Sequence, residues 1–267
     1  MADTIRSGSN TLFKQLLKLG QSGKARREAR LTVLDGEHLL EMAWQSGVTL
    51  ERLLLAESAA QVLGQKWQQR CPSTAVSVFS DTLFRQLSPV DSPSGIAALL
   101  SLPEGSTPGC SETRRSENFW VMLEAVQDPG NVGAILRTAA AAGVSDVWLS
   151  AGCADVWSPK VLRAAMGAHF SLALHDGADL PALASGFNGQ RLAAVLEQSM
   201  SLYDLDLTGP CCFMIGNEGA GLSAELTAQA TSRIRIPMPG MMESLNAAVA
   251  AGVCLFERVR QTERIKS

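Results

Sequence analysis

Residues 214–222 read Met-Ile-Gly-Asn-Glu-Gly-Ala-Gly-Leu, and this stretch decides the fold of the last third of the chain. The run Cys211–Ile215 that leads into it has the length and the apolar composition of a buried strand. The strand ends at a segment with three glycines within six residues. Such a loop exposes backbone amides and the single carboxylate of Glu218. The stretch therefore predicts a loop that binds a small ligand.

The next stretch predicts a second strand end and a helix start. The β-branched run at residues 234–236 ends at Pro237, and a Pro-Gly step follows it. A polar cluster formed by Glu243, Ser244 and Asn246 then opens a helix. Its apolar residues recur at helical spacing: Leu245, Val249, Val253 and Phe256. Two strand ends and one helix start are therefore expected to converge on one site.

A third stretch lies earlier, where residues 131–139 read Asn-Val-Gly-Ala-Ile-Leu-Arg-Thr-Ala. It resembles Asn-x-Gly-x-x-x-Arg-x-Ala, the first motif of the SpoU/TrmH family of RNA 2'-O-methyltransferases in the SPOUT superfamily. The Gly-Asn-Glu-Gly-x-Gly loop at residues 216–221 resembles the second motif of that family. The Ile-Pro-Met step and the Ser-Leu-Asn-Ala segment resemble the third. The motifs occur in the family's order, and the resemblance covers residues 119–261.

The fold class predicted from alternating strands and helices is α/β, with a parallel sheet between helices in the C-terminal part. The family resemblance implies an α/β/α SPOUT domain with a deep trefoil knot, and it also implies a homodimer. The knot comes from the resemblance alone, because threaded chains are too rare to be inferred from periodicity.

A smaller α/β domain is predicted ahead of the catalytic one. A helix is expected at residues 10–19 and a basic turn at residues 24–30, whereas residues 1–9 are expected to be disordered. The order of strands and helices that follows resembles the L30e-like RNA-binding domain of many family members. The Pro-, Gly- and Ser-rich segment before Phe119 reads as a linker. The predicted division is 10–102 for the L30e-like RNA-recognition domain, 103–118 for the linker and 119–267 for the SPOUT methyltransferase domain.

Composition excludes several classes of protein. Hydrophobic residues make up 46% and charged residues 18% of the chain, which is ordinary for an α/β protein. No run approaches the roughly 18 apolar residues that a membrane helix needs, so a cytoplasmic protein without a membrane partner is expected. The six cysteines form no Cys-x-x-Cys pair and the three histidines have no partner at ligand spacing, so no metal is expected.

RNA contacts are predicted to be local, because the net charge is −3 and disfavours binding over the whole surface. The basic side chains near the start of the chain are the first candidates, and those on the helix that Ser158-Pro159 begins are the second. A solvated helix face is the alternative interpretation of each group. The predicted RNA-binding residues are Lys14, Lys18, Lys24, Arg26, Arg27, Lys160 and Arg163.

The ligand of the glycine loop is predicted to be S-adenosylmethionine. Alone, the loop could be a tight turn or a phosphate cradle, but it matches neither the dinucleotide fingerprint nor the P-loop pattern. Backbone groups at Gly216, Ile236 and Leu245 could read an adenine ring, and the family places its cofactor in this way. The predicted cofactor-binding residues are Gly216, Asn217, Gly221, Ile236, Pro237, Met238, Ser244 and Leu245.

The predicted catalytic residues are Asn131, Arg137, Glu218, Ser244 and Asn246. Family proposals often give the ribose proton to the residue that matches Arg137. A guanidinium is a poor proton acceptor, so we expect Arg137 to clamp a phosphate and stabilise the forming alkoxide. Glu218 is expected to orient Arg137 or Asn131, or to take the proton itself. Asn131 could also cap its helix, as Ser244 and Asn246 could cap theirs.

These residues predict methyl transfer from S-adenosylmethionine to a ribose 2'-hydroxyl of structured RNA. Ribosomal RNA is the first substrate class and transfer RNA the second. A noncatalytic RNA-binding or ribosome-assembly protein with the same fold is a rival hypothesis, which the intact catalytic set disfavours. A nucleotide-dependent oxidoreductase is a further rival, and it would bind NADH instead.

Overall fold

The computed structural model describes residues 3–103 and 118–266. Up to residue 101 the chain alternates helices with short apolar strands. These elements are α1 (Thr11–Gln21), α2 (Gly23–Ala29), β1 (Leu31–Asp35), α3 (Glu37–Gln45), β2 (Leu50–Ala56), α4 (Ala60–Arg70), β3 (Ala75–Phe79), α5 (Asp81–Leu87) and β4 (Ile96–Ser101).

The N-terminal sheet has the order β1-β4-β2-β3, in which β4 is antiparallel to β1 and β2 while β2 and β3 are parallel. Its strands are apolar on both faces. Leu53 packs in one buried cluster and its neighbour Leu54 in another, because successive side chains of a strand point to opposite faces. Helices therefore cover both faces of this sheet.

The C-terminal part forms a second, larger sheet. Its elements are β5 (Phe119–Leu123), α6 (Pro129–Ala142), β6 (Asp146–Leu149), α7 (Pro159–Ala165), β7 (Ala173–His175), α8 (Leu180–Gly186), β8 (Gln190–Ala194), β9 (Met200–Ser201), β10 (Cys211–Ile215), α9 (Ala224–Ala228), β11 (Ser232–Arg235) and α10 (Ala247–Lys266). The seven strands are all parallel, in the order β7-β6-β5-β10-β8-β11-β9. The α/β fold class and the parallel C-terminal sheet predicted from the sequence are confirmed.

The strand order reverses direction between β5 and β10. From β5 the chain builds outward through β6 and β7, and the later strands are added on the other side of β5. In open parallel sheets, ligands bind outside the carboxyl ends of the strands at such a switch point. All three sequence motifs follow strands that meet at this edge, namely β5, β10 and β11.

Several local predictions from the sequence are wrong. The basic turn at residues 24–30 is α2, which begins after Ser22, whose hydroxyl accepts a hydrogen bond from the Ala25 N–H. Ile5 is ordered within the predicted disordered start, because it forms a parallel bridge with Phe79. Helix α6 begins at Pro129 and its cap is Asp128, so Asn131 lies inside the first turn.

The structure adds one short strand to those predicted and leaves two expectations untested. Strand β9 has only two residues and was not predicted, since so short an edge strand leaves no periodic pattern. Residues 104–117 of the predicted linker lie outside the described residues. The trefoil knot stays a prediction from the family resemblance.

Gly133 allows α6 and α7 to pack closely. A Cβ atom at this position would lie 2.3 Å from the Ala164 Cβ and 2.9 Å from the Val161 carbonyl oxygen. We expect Gly133→Ala to lower the free energy of unfolding by about 1–3 kcal/mol. The added methyl group would collide with the backbone of α7, which cannot move aside as a flexible side chain could.

Denaturant unfolding of the full chain measures this, with Gly20→Ala as the matched control. Gly20 lies in α1 with nothing within 4 Å of the added atom, so its alanine variant should be more stable by about 0.5–1 kcal/mol. Equal midpoints for the two variants would exclude the close-packing explanation.

Candidate active site

A cavity of about 420 Å³ lies at the carboxyl ends of β8, β10 and β11. The strand ends form one wall and the start of α10 forms the other. The lining residues are Ala194, Val195, Leu196, Ile215, Gly216, Asn217, Glu218, Gly221, Ile234, Arg235, Ile236, Met238, Ser244, Leu245, Asn246, Ala247, Ala250 and Cys254.

The glycine loop after β10 is closed on itself by Asn217. The backbone groups of Asn217 and Gly221 exchange two hydrogen bonds of 3.0 Å. The Asn217 Oδ1 accepts from the N–H groups of Gly219 and Ala220 at 2.9 Å each. A Cβ atom on Gly216 would lie 2.3 Å from the carbonyl carbon of Gly221, so only glycine allows this closure.

The loop is also tied to the end of β5. The Asn217 Nδ2 donates to the Ala125 carbonyl at 2.8 Å, and the Ala125 N–H donates to the Ser150 hydroxyl at 2.9 Å. These contacts hold Ala125 in the left-handed region with a φ of 52°. Glu124 accepts two hydrogen bonds of 2.7 Å from Ser223, one from its N–H and one from its hydroxyl. The glycine loop and the residues that follow it are therefore joined by side chains to the segment that follows β5.

Three predicted catalytic residues form one hydrogen-bonded row beside the cavity. The Asn131 Nδ2 donates to the Glu218 Oε1 at 2.9 Å, and the Asn246 Nδ2 donates to the Asn131 Oδ1 at 2.9 Å. The Asn246 Oδ1 accepts from the N–H groups of Ala248 and Val249 at the start of α10. The structure thus brings together one residue from each motif.

Glu218 is held in its ionised form. Partial burial acts to raise the pKa of Glu218, but hydrogen bonds from Asn131 and from the N–H groups of Gln127 and Asp128 outweigh it. The pKa therefore lies below its ordinary value. A carboxylate of lowered pKa is a weak proton acceptor, so the geometry favours Glu218 as the group that orients Asn131.

Most of the predicted cofactor residues line the cavity. They are Gly216, Asn217, Gly221, Ile236, Met238, Ser244 and Leu245, whereas Pro237 is not among the lining residues. Glu218 and Asn246 also line it. Arg137 does not: it is exposed on α6, and it makes no hydrogen bond or ion pair within residues 3–103 and 118–266.

Sequence reasoning missed two parts of the cavity wall. The end of β8 contributes Ala194, Val195 and Leu196, and the inner face of α10 contributes Ala247, Ala250 and Cys254. The recurrence at 247, 250 and 254 is the helical spacing that could have signalled the second part. Burial raises the pKa of the Cys254 thiol to about 12, so this side chain lines the cavity as an uncharged group.

The structure exposes most of the predicted RNA-binding residues and buries one of them. Six of them are exposed: Lys14, Lys18, Lys24, Arg27, Lys160 and Arg163. Arg26 is only 4% exposed and its guanidinium contacts Asp155. The prediction that Arg26 binds RNA is wrong, because this side chain is enclosed between the two parts of the molecule.

The cavity is suited to S-adenosylmethionine. The apolar side chains of Ile236, Leu245 and Ala247 provide walls for a flat adenine, and the glycine loop leaves room close to the backbone. The Glu218 carboxylate also lines the cavity and would offer a negative charge to a cationic sulfonium. Among the described residues there is no cluster with metal-ligating spacing, and no described helix is long and apolar enough to cross a membrane.

The fold and this cavity define an RNA methyltransferase of the SPOUT class that uses S-adenosylmethionine. The chain belongs to the SpoU rRNA methylase family, whose model matches residues 118–256. Residues 10–98 match the MRM3-like substrate binding domain. The family, the enzyme class and the cofactor predicted from the sequence are confirmed.

Individual relatives agree with this assignment. An uncharacterized tRNA/rRNA methyltransferase of Synechocystis is 34% identical, over 97% of this chain and 94% of its own length. The 23S rRNA (guanosine(2553)-2'-O)-methyltransferase RlmP of Bacillus subtilis is 29% identical, over 94% of this chain and 97% of its own. The AdoMet-bound rRNA methyltransferase of Sinorhizobium meliloti superimposes with a TM-score of 0.81 at 29% identity, covering 97% of both chains.

Gly216 and Gly219 provide a matched pair for testing the cavity. Gly216→Ala should raise the Kd for S-adenosylmethionine at least about tenfold, because the added carbon collides with the backbone of Gly221 and opens the loop. Gly219→Ala should bind normally, since the nearest atom to its Cβ is the Asn217 Oδ1 at 3.6 Å. Calorimetric titration decides this, and equal affinities for the two variants would contradict it.

Proposed function

We propose that this protein methylates a ribose 2'-hydroxyl of ribosomal RNA. The observation that carries the proposal is the row formed by Glu218, Asn131 and Asn246 beside the cavity. The similarity to rRNA methyltransferases over nearly the whole chain supports ribosomal RNA as the substrate class. Transfer RNA is the second candidate, because the Synechocystis relative is described as a tRNA/rRNA methyltransferase.

The reaction requires the ribose oxygen, the methyl carbon and the sulfur to lie in line. When bound, S-adenosylmethionine supplies the electrophilic methyl group. The Ser244 hydroxyl lines the cavity and has no hydrogen-bond partner within the described part of the chain, so it is available to the incoming ribose hydroxyl. Asn246 is fixed beside it by Asn131 and by the start of α10.

Arg137 is assigned to the RNA rather than to the cofactor. It is exposed on the helix that carries Asn131, and it does not line the cavity. Its planar guanidinium presents several N–H donors in a fork that is suited to phosphate oxygens. We assign Arg137 to clamping the phosphate of the target nucleotide and stabilising the developing alkoxide.

Arg137→Ala should therefore separate binding of the cofactor from turnover. We expect an unchanged Kd for S-adenosylmethionine and a loss of about 10²–10³ in kcat, because the forming alkoxide loses a charge contact and the cofactor loses none. Calorimetry and methyl transfer to isolated ribosomal RNA measure the two quantities. Arg233→Ala is the control, since Arg233 is exposed but bonded to Gln198 and does not line the cavity. Normal turnover of Arg137→Ala would refute the assignment.

The exposed basic residues are proposed as the electrostatic part of the RNA surface. Lys14 and Lys18 are one helical turn apart on α1, and Lys24 and Arg27 are exposed on α2. Lys160 and Arg163 are exposed on α7. These side chains are proposed to contact phosphates and not base edges. They would therefore fix the orientation of the RNA on the protein without recognising its base sequence.

The salt dependence of RNA binding tests this surface. Replacing Lys14 and Lys18 by Gln should weaken binding, and the slope of log K against log salt should fall by about 0.7–0.9 for each phosphate that is no longer neutralised. Lys66→Gln is the control, because Lys66 is already occupied by Glu37 at 2.6 Å. The assignment to phosphate binding fails if the variant without Lys14 and Lys18 keeps the slope of the wild-type protein.

We also propose a homodimer formed through α10 and the loop that precedes it. Val249 and Phe256 are exposed by 52% and 47% and lie seven residues apart, on one face of α10. Met241, Met242 and Leu245 extend this apolar surface along the loop. Large exposed apolar patches on soluble proteins commonly mark interfaces.

Light scattering after size-exclusion chromatography tests the dimer. Phe256→Glu should convert a dimer into a monomer, because a carboxylate would be buried without a partner. Val62→Glu is the control, since Val62 is 73% exposed on α4. A monomeric wild-type protein would exclude the proposed dimer.

A further inference from the structure

The two parts of the molecule are joined by an ion pair between Arg26, which is buried, and Asp155, which is partly buried. The Arg26 Nε and Nη2 donate to the Asp155 Oδ2 at 3.0 Å and 2.5 Å. The remaining guanidinium nitrogen, Nη1, donates to the Leu19 carbonyl at 2.5 Å. The Asp155 Oδ1 accepts from the Trp157 N–H at 3.0 Å. Each charged group is thus satisfied from both sides of the junction.

Other contacts around this pair keep the junction closed. The Thr32 hydroxyl on β1 donates to the Trp157 carbonyl at 2.8 Å. Leu162 and Phe170 from the C-terminal part are buried within the core cluster of the N-terminal sheet. Gly167 has a φ of 89°, and a Cβ there would lie 2.7 Å from the Met42 Cγ. Part of α7 and the turn that follows it therefore pack into the core of the N-terminal sheet.

The position of the pair along the parallel sheet is informative. Asp155 lies in the segment that follows β6, and Arg27 acts electrostatically on Asp176, which follows β7. Both segments follow carboxyl strand ends, and the cofactor cavity lies at the carboxyl ends of β8, β10 and β11. Helix α2 and the cavity thus occupy the same edge. With strands about 4.8 Å apart, β6 is about 10–20 Å from the strands that form the cavity.

We infer that the Arg26–Asp155 pair fixes the distance between the basic face of α2 and the methyl donor, and thereby determines which nucleotide enters the site. This inference rests on the proposed function. An apolar contact would tolerate sliding, whereas a guanidinium that binds one carboxylate and one carbonyl has a single orientation. Arg26 and Asp155 are positioning residues, because neither lines the cavity.

The test uses the full-length variants Arg26→Met, Asp155→Asn and the double variant. Hydrogen exchange should rise in α2 and in residues 150–157, and small-angle scattering should show a larger radius of gyration. The Kd for S-adenosylmethionine should stay within twofold of wild type. The KM for ribosomal RNA should rise at least tenfold, and mapping of methylated riboses should show additional positions. The double variant should be no worse than the worse single variant, because both changes remove one interaction.

Glu28→Gln is the matched control, because Glu28 is exposed on the same helix and pairs with Lys24 at the surface. It should leave the hydrogen exchange, the radius of gyration and the methylated positions unchanged, and it should not raise the KM for ribosomal RNA, because it removes a negative charge beside Lys24. Should Arg26→Met fail to fold, Thr32→Val removes a single hydrogen bond of the junction and should produce the same changes to a smaller degree.

Three results would overturn the inference. Unchanged hydrogen exchange in both single variants would show that the pair does not hold the junction. A loosened junction with unchanged KM and unchanged methylated positions would show that the spacing does not select the nucleotide. If Glu28→Gln caused the same changes as the Arg26 and Asp155 variants, the changes would be due to the altered surface charge. If wild-type protein methylated no RNA, the proposed function would fail, whereas the exchange and scattering data would still report on the junction.

Discussion

The parallel pairing of β10 with β5 is the constraint on which the rest of the site depends. Ile215 pairs with Leu123 at the carboxyl end of this register. Segments about 90 residues apart in sequence therefore leave the sheet side by side. The hydrogen bonds from Asn217 to Ala125, from Asn131 to Glu218 and from Ser223 to Glu124 all cross between the segments that follow these two strands. A slip of one residue would turn the core face of β10 toward the other side and break all three.

The sequence predicted those parts of the site whose signal is local. The loop at residues 216–221 is recognisable because only glycine permits its closure, and α10 is recognisable from its polar start and apolar spacing. The end of β8 was missed because Ala194, Val195 and Leu196 are ordinary strand residues. Only the sheet order, which is nonlocal, brings them to the cavity wall.

Arg26 and Arg27 also show that local sequence cannot predict a nonlocal contact. Both belong to a basic segment that was predicted to be a turn, and a turn would expose both side chains to solvent. In a helix, adjacent residues point about 100° apart, so Arg26 faces the C-terminal part while Arg27 is exposed. No composition or charge count distinguishes them. Its partner, Asp155, is separated from Arg26 by 129 residues.

The hydrogen bonds in the row from Glu218 to α10 have a fixed donor–acceptor direction. An ionised carboxylate can only accept, so Asn131 must present its amide nitrogen to Glu218 and its oxygen to Asn246. Asn246 must then direct its own oxygen toward the N–H groups that begin α10. The carboxylate at one end and the helix start at the other thus determine both amide orientations. Protonation of Glu218 would remove this constraint, and the hydrogen bonds that lower its pKa oppose protonation. In the proposed reaction, a ribose hydroxyl that enters beside Asn246 would meet dipoles that are already aligned, so that no reorientation would be needed during methyl transfer.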